Sequence, residues 1–203
     1  IKAGDISFDV GALTINKVCG SGLKAVMLLT QAIQTGDAEA GVAGGMESMS
    51  NAPYYLERAR SGYRMGNGNL IDHMIHDGLW DVVNDYHMGY TAELVSEKYG
   101  ISKEKMDKWA FDSNAKAIAA TEAGKFKEEI LPVTVPQKKG DPIIVDRDEG
   151  PRVPDLDKIA KLPPAFKKDG LVTAGNASKI SDGASALVVM SEKKAKELGT
   201  PVL

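Results

Sequence analysis

The sequence predicts an α/β fold, with a βαβ core built from the two ends of the chain and a long insertion between them. Three observations point to it. A β-branched stretch at 12–18 passes through the turn Cys19-Gly20-Ser21-Gly22 into helical spacing, and then into a small, apolar stretch at 39–45. Near the other end, Ser185-Ala186-Leu187-Val188-Val189-Met190 reads as a buried strand. The segment between them changes character at Asn51 and regains α/β patterning only after about residue 180.

Taken in order, Ala12 to Val18 alternates partly and reads as a strand. Leu23, Val26, Met27, Thr30, Ile33 and Gln34 then follow helical spacing, with Gly36-Asp37 as the stop. Residues 39–45 read as a second buried strand running into the loop 46–50. Strand, helix and strand within about 35 residues form a βαβ unit, whose strands are ordinarily parallel and whose crossover is right-handed. Residues 51–90 are rich in Gly, Asn, Asp, Tyr and Met and show no period. Residues 91–99 and 103–124 read as helices, the second with Met106, Trp109, Ala110, Ile118 and Ala119 as its apolar stripe. Residues 125–170 carry most of the prolines, a loop-rich stretch long enough to be functional or to cover something functional. After the strand at 185–190, Ser191 is placed to cap a helix that ends at Leu198-Gly199. The chain opens at Ile1 without Met, and Gly199 to Leu203 reads as the start of a further strand. Both ends read as cut, so they carry no information on targeting.

Composition removes several classes of function. The 203 residues are 43% hydrophobic, yet no apolar run approaches the ~20 residues of a membrane span. The 25 basic and 28 acidic side chains leave a net charge of −3, a poor match to nucleic acid or an anionic membrane. Cys19 is the only cysteine, which excludes an internal disulfide and a multi-cysteine zinc site. A reducing, cytoplasmic setting fits.

Cys19 is the first chemical candidate. It stands where a strand turns into a helix, a position that stabilises a thiolate, and the small residues after it leave room for a substrate and for backbone N–H donors. The plain alternative is a buried structural cysteine. Gly20-Ser21-Gly22-Leu23-Lys24-Ala25 also fits the dinucleotide fingerprint G-x-G-x-x-A, with Glu47 as its acid, which keeps an NAD-dependent oxidoreductase as a distant reading. His73, His76 and His87 could each partner Cys19 or simply pack in loops; with no third ligand type nearby, His73 and His76 do not make a metal site. Gly170 to Gly183 is dense in glycine and small polar residues. It could hold an extended amide-bearing ligand or be a turn into the next strand.

Together these segments resemble the thiolase family, in particular its biosynthetic branch. Asn16 to Ala25 matches the nucleophile motif, and Ala43 to Ser50 the strand and loop after it. Tyr86-His87-Met88-Gly89 with Thr91-Ala92-Glu93 matches a loop-domain segment. Pro164-Ala165-Phe166, Thr173 to Ser178 and Asp182-Gly183-Ala184 match the stretch facing coenzyme A. The resemblance implies a thiolase-like fold in which 1–50 and 181–203 form a partial N-terminal core. Residues 51–180 would be the inserted loop domain that binds coenzyme A and forms tetramers in the family.

The implied reaction condenses two acetyl-CoA to acetoacetyl-CoA and CoA, or runs the thiolytic reverse, with no metal or prosthetic group. Cys19 would carry the acyl group. Leu79, His87, Met88, Phe166, Ala174 and Ser178 would line the pantetheine arm, with Arg152 toward its adenine or phosphate end. The G-x-G-x-x-A match would then be coincidental. The family's second cysteine, its Gly-His-Pro histidine and its Asn-bearing loop have no counterpart here, and His87 does not stand in for that histidine. Lys179 and Ile180 replace the usual Gly-Leu after Ser178. The chain alone is therefore expected to be inactive in condensation, and a non-catalytic acyl-CoA-binding or oligomer-forming fragment is the alternative.

Overall fold

The computed structural model describes residues 6–202; the expectations at 1–5 and at 203 lie outside them. The chain divides into two compact units, one formed by residues up to 74 with those from 180 onward, the other by residues 75–179. Residues 51–74 thus fold with the first unit, where the sequence expectation had put them in the insertion.

In the first unit, helix α1 spans Ser21–Thr35. It ends because Gly36, at φ 81°, turns left-handed and lets the Asp37 amide reach back to the Ala32 carbonyl at 2.9 Å. Strand β1 (Ala40–Ser48) follows and pairs with β8 (Asp182–Met190) from Ala40 opposite Met190 to Ser48 opposite Asp182. The pairing is antiparallel, and it joins the second expected strand to the one near the other end of the chain. The expected strand at 12–18 does not form; apart from an isolated bridge between Lys17 and Cys19 these residues lie outside any ladder. Branched side chains favour extended backbone, but a strand exists only where a partner takes up its N–H and C=O groups, and among the described residues none does.

Packing of α1 on the pair depends on missing side chains. A Cβ at Gly41 would lie 2.7 Å from Leu29 Cδ1, and one at Gly45 3.6 Å from the Gly22 Cα. Gly41, Ala43 and Gly45 share one face of the strand, and Ala43 is buried there. The opposite face carries Val42, Met46 and Val188, all exposed. The expectation of two buried strands is corrected accordingly: a two-stranded pair covered by a helix on one side buries one face only. Beyond β8, Ser191 accepts the Lys194 amide at 3.1 Å and starts α5 (Glu192–Leu198), which closes at Gly199 in the left-handed region. A small hairpin of β2 (Tyr54–Leu56) and β3 (Leu70–Asp72) completes the unit.

The second unit begins with the hairpin of β4 (Trp80–Asp81) and β5 (Tyr86–His87). Helix α2 runs Met88–Tyr99 and α3 Lys103–Glu122, the latter capped by the Ser102 hydroxyl. A hairpin of β6 (Val133–Val135) and β7 (Ile143–Val145) and the short helix α4 (Leu156–Ala160) follow. The expected apolar stripe of α3 fails at Trp109, which is 79% exposed, while Asp107, two positions earlier, is 2% exposed. A buried acid on a helix face reads as polar in any hydropathy pattern; only its partners make it a core residue.

Candidate active site

The loop before α1 is held by side chains. The Asn16 carboxamide oxygen accepts the Val18 amide at 2.8 Å. The Ser21 hydroxyl accepts the Lys17 amide at 2.8 Å and donates to the Val18 carbonyl at 2.7 Å. Between them Val18 sits at φ 47°, a conformation that costs a β-branched residue dearly and survives only where its surroundings impose it. The result is a tight turn that leaves Cys19 exposed one residue ahead of the helix's capping glycine, Gly20. The Gly20 and Ser21 amides are spent on the Lys17 and Val18 carbonyls, so they are not the free donors the sequence suggested. No side chain caps the helix start, and the amides of a helix's first turn have no acceptor within the helix itself. The loop after β1 is pinned in the same unit, where the Asp182 carboxylate accepts the Ser50 amide at 2.9 Å. That hydrogen bond is the main reason the Asp182 carboxyl sits below its ordinary range.

In the second unit, short contacts link most of the remaining candidates. The Met88 amide donates to the Leu79 carbonyl at 2.8 Å, and the hairpin sets Trp80 opposite His87. His87 caps α2 with its side chain, Nδ1 accepting the Gly89 amide at 2.9 Å. The opposite edge of the ring, at Nε2, then carries the proton in the neutral form. Phe166 stacks on this ring with centroids 4.8 Å apart. Phe166 is in turn tied to the next segment, because Pro164 bridges Thr173 and the Ala165 amide donates to the Val172 carbonyl at 2.9 Å. Leu79, His87, Met88, Phe166 and the neighbourhood of Ala174 therefore form one continuous cluster. Ala174 and Ser178 are both exposed, Ala174 within and Ser178 just after a turn in which the Ala177 amide returns to the Thr173 carbonyl at 2.9 Å.

Arg152 is exposed on a loop whose backbone is fixed by its amide donating to the Asn114 side chain at 3.0 Å. Close to this loop, Lys179 Nζ lies 3.8 Å from where a side chain at Gly150 would begin. His73 packs edge-on against Tyr55, and His76 pairs with Asp77 at 2.9 Å. Among the described residues no three His, Cys, Asp or Glu side chains gather as metal ligands. The dinucleotide reading falls, since its motif needs a preceding strand and a parallel βαβ unit, and α1 has neither.

Sequence reasoning noticed Glu93 and Asn176 only as parts of matching segments, and missed Asp107. All three belong to a buried network beneath residues 171–176. A signal for Asp107 existed: it lies on the same helical face as Ala110 and Asn114, with Lys103 one turn before it.

Comparison with known proteins places these features in a family. Acetyl-CoA acetyltransferase of Pseudomonas aeruginosa is 58% identical over 204 residues, an alignment that takes in 100% of this chain and 52% of that protein. The enzyme of the same name from Cupriavidus necator is 59% identical, again over 100% of this chain and 52% of the relative. The solved structure of acetyl-CoA acetyltransferase from Syntrophomonas wolfei matches with a TM-score of 0.91 at 45% identity, over 98% of this chain and 50% of that one. The chain spans about half the length of the curated relatives it matches. Residues 2–193 match the family described as thiolase, N-terminal domain, and the chain belongs to the thiolase family.

Proposed function

We propose that this chain is the acyl-accepting and coenzyme A-contacting part of an acetyl-CoA acetyltransferase, with Cys19 as the nucleophile. The observation that carries the reading is the strained, side-chain-held turn that leaves Cys19 exposed at the start of α1. The Cys19 thiolate attacks the thioester carbonyl, the C–S bond to coenzyme A breaks, and coenzyme A leaves as a thiolate that takes up a proton. Open amides of the first helical turn suit the oxyanion formed on the way. The α-carbanion of a second acetyl-CoA then attacks the acyl-cysteine carbonyl, a C–C bond forms as the C–S bond to Cys19 breaks, and acetoacetyl-CoA and the Cys19 thiolate are released.

The pantetheine arm lies against Leu79, His87, Met88, Phe166, Ala174 and Ser178, with Arg152 toward the nucleotide end. No metal or prosthetic group is required by this chemistry, coenzyme A serving as substrate and product. The working protein is a cytoplasmic homo-oligomer, a tetramer by family likeness, without nucleic-acid or membrane partners. No described helix is long and apolar enough to cross a membrane.

The α-proton needs a base, and the only cysteine is already the acyl carrier, so the 203 residues by themselves stop at the acylated stage. That same observation favours the second reading, an acyl-CoA-binding piece that never acylates. Mixing the chain with acetyl-CoA and measuring intact mass separates the two. The expected result is one acetyl group mapped to Cys19, absent in Cys19→Ser, with no acetoacetyl-CoA formed. Acetyl-CoA bound with no acetylation at all supports the second reading, and acetylation retained in Cys19→Ser overturns the first.

A further inference from the structure

Glu93 is 4% exposed and makes no ion pair among the described residues; backbone amides satisfy it instead. Its Oε1 accepts from the Leu171 amide at 3.0 Å and the Val172 amide at 2.8 Å, and its Oε2 from Leu171 at 2.9 Å. The approach is close enough that a Cβ at Gly170 would fall 2.3 Å from Oε1. A second buried acid grips the same segment through Asn176. Asp107 on α3, 2% exposed, accepts from Asn176 Nδ2 at 2.9 Å and from Lys103 Nζ. Lys103 also donates to the Ala160 carbonyl at 3.1 Å. The Asn176 carboxamide is fully used, for Nδ2 also donates to the Leu171 carbonyl at 3.1 Å and Oδ1 accepts the Thr173 amide at 2.8 Å. Thr173, at the centre, is completely buried. Residues 171–176 belong to no helix or strand, so side chains from two helices do the work that a ladder does elsewhere.

The network matters because of what else α2 carries. His87 caps the helix and Met88 begins it, and Glu93 follows five residues after Met88, about 7.5 Å along the axis. One rigid helix thus fixes the His87–Met88 wall at its start and, through Glu93, the segment bearing Ala174 and Ser178. We propose that Glu93, supported by Asp107 and Asn176, is a positioning residue that sets the spacing between these two walls of the coenzyme A site. The proposal rests on the coenzyme A reading given above. A carboxylate suits the task because both of its oxygens accept; a glutamine sets an N–H donor against the Leu171 amide, 2.9 Å from Oε2, and leaves one uncharged oxygen to serve both the Leu171 and Val172 amides.

Calorimetric titration of unacylated coenzyme A into the full chain tests it. Ser178→Ala weakens binding by roughly fivefold, the worth of one hydrogen bond. Glu93→Gln weakens it by about tenfold, as expected for a bond to a charged group lost beneath the loop. The double variant loses little more than Glu93→Gln alone, because a displaced loop no longer offers Ser178. A merely structural Glu93 lowers the melting temperature while the folded protein binds as before, or adds its loss to that of Ser178→Ala; either result overturns the proposal. Binding untouched by Ser178→Ala overturns the coenzyme A reading itself, and this proposal with it. Where Glu93→Gln does not fold, amide exchange in the unmodified chain decides. The Leu171 and Val172 amides exchange at least about tenfold more slowly than those of 167–169, and more slowly still with coenzyme A bound. Equal rates in both segments overturn it.

Discussion

The His87 ring lies nearly flat against the Phe166 ring, planes 18° from parallel and centroids 4.8 Å apart, while its own Nδ1 accepts the Gly89 amide. One imidazole therefore caps a helix on its edge and carries an aromatic ring on its face. The arrangement needs Gly89 to lack a side chain, since a Cβ there would sit 2.3 Å from the Phe166 ring.

Gly89→Ala is expected to push Phe166 off the histidine and destabilise the second unit by about 1–3 kcal/mol, the usual cost of forcing atoms into a packed site. Urea unfolding checks the stability, and coenzyme A titration should show weaker binding. An alanine variant as stable as the parent would mean that the stack relaxes freely.

Val18→Gly is expected to raise stability by about 1 kcal/mol. The residue is 57% exposed and sits at φ 47°, so little burial is lost and a strained backbone is relieved. The same change should slow alkylation of Cys19 by iodoacetamide, because a relaxed turn presents the sulfur less consistently. Faster alkylation, or a lower unfolding midpoint, would contradict the view that the strain is imposed for presentation.

Gly44→Ala should cost about 3 kcal/mol or more, since the added carbon would lie 2.0 Å from the Ser185 carbonyl oxygen of the paired strand. Neither atom is the end of a flexible side chain, so β1 and β8 would have to part. Loss of the cooperative unfolding transition, or a much lower midpoint, is the expected reading in circular dichroism.

The two ends of the first unit should titrate in opposite senses. Asp182 is held below its ordinary range, chiefly by the Ser50 amide. Its contribution is present above the ordinary aspartate value of about 3.9 and fades as pH falls through the lower folded value. Lys194 is raised, chiefly by its hydrogen bond to Glu39. Its contribution is present below the ordinary lysine value of about 10.4 and fades as pH rises through the higher folded value. Asp182→Asn should flatten only the acid limb of a stability–pH profile, and Lys194→Met only the alkaline limb. Asp182 is exposed and Lys194 half-buried at the surface, so the effects are modest and shrink with added salt.

What the sequence determined by itself is local. Gly36 and Gly199 end their helices and Ser191 starts one because the decisive atoms lie within a few residues of each other. The turn at Cys19 was legible for the same reason, as Asn16, Val18 and Ser21 close it among themselves. The tertiary structure decided everything that joins distant residues. β1 pairs with β8 across most of the chain, and antiparallel, while the stretch at 12–18, expected as its parallel neighbour, forms no strand. The burial of Glu93 and Asp107 was equally out of reach. A carboxylate enters a protein interior only when donors wait for it, and those donors, the amides of Leu171 and Val172 and the side chain of Asn176, lie some 70 to 80 residues further along the chain.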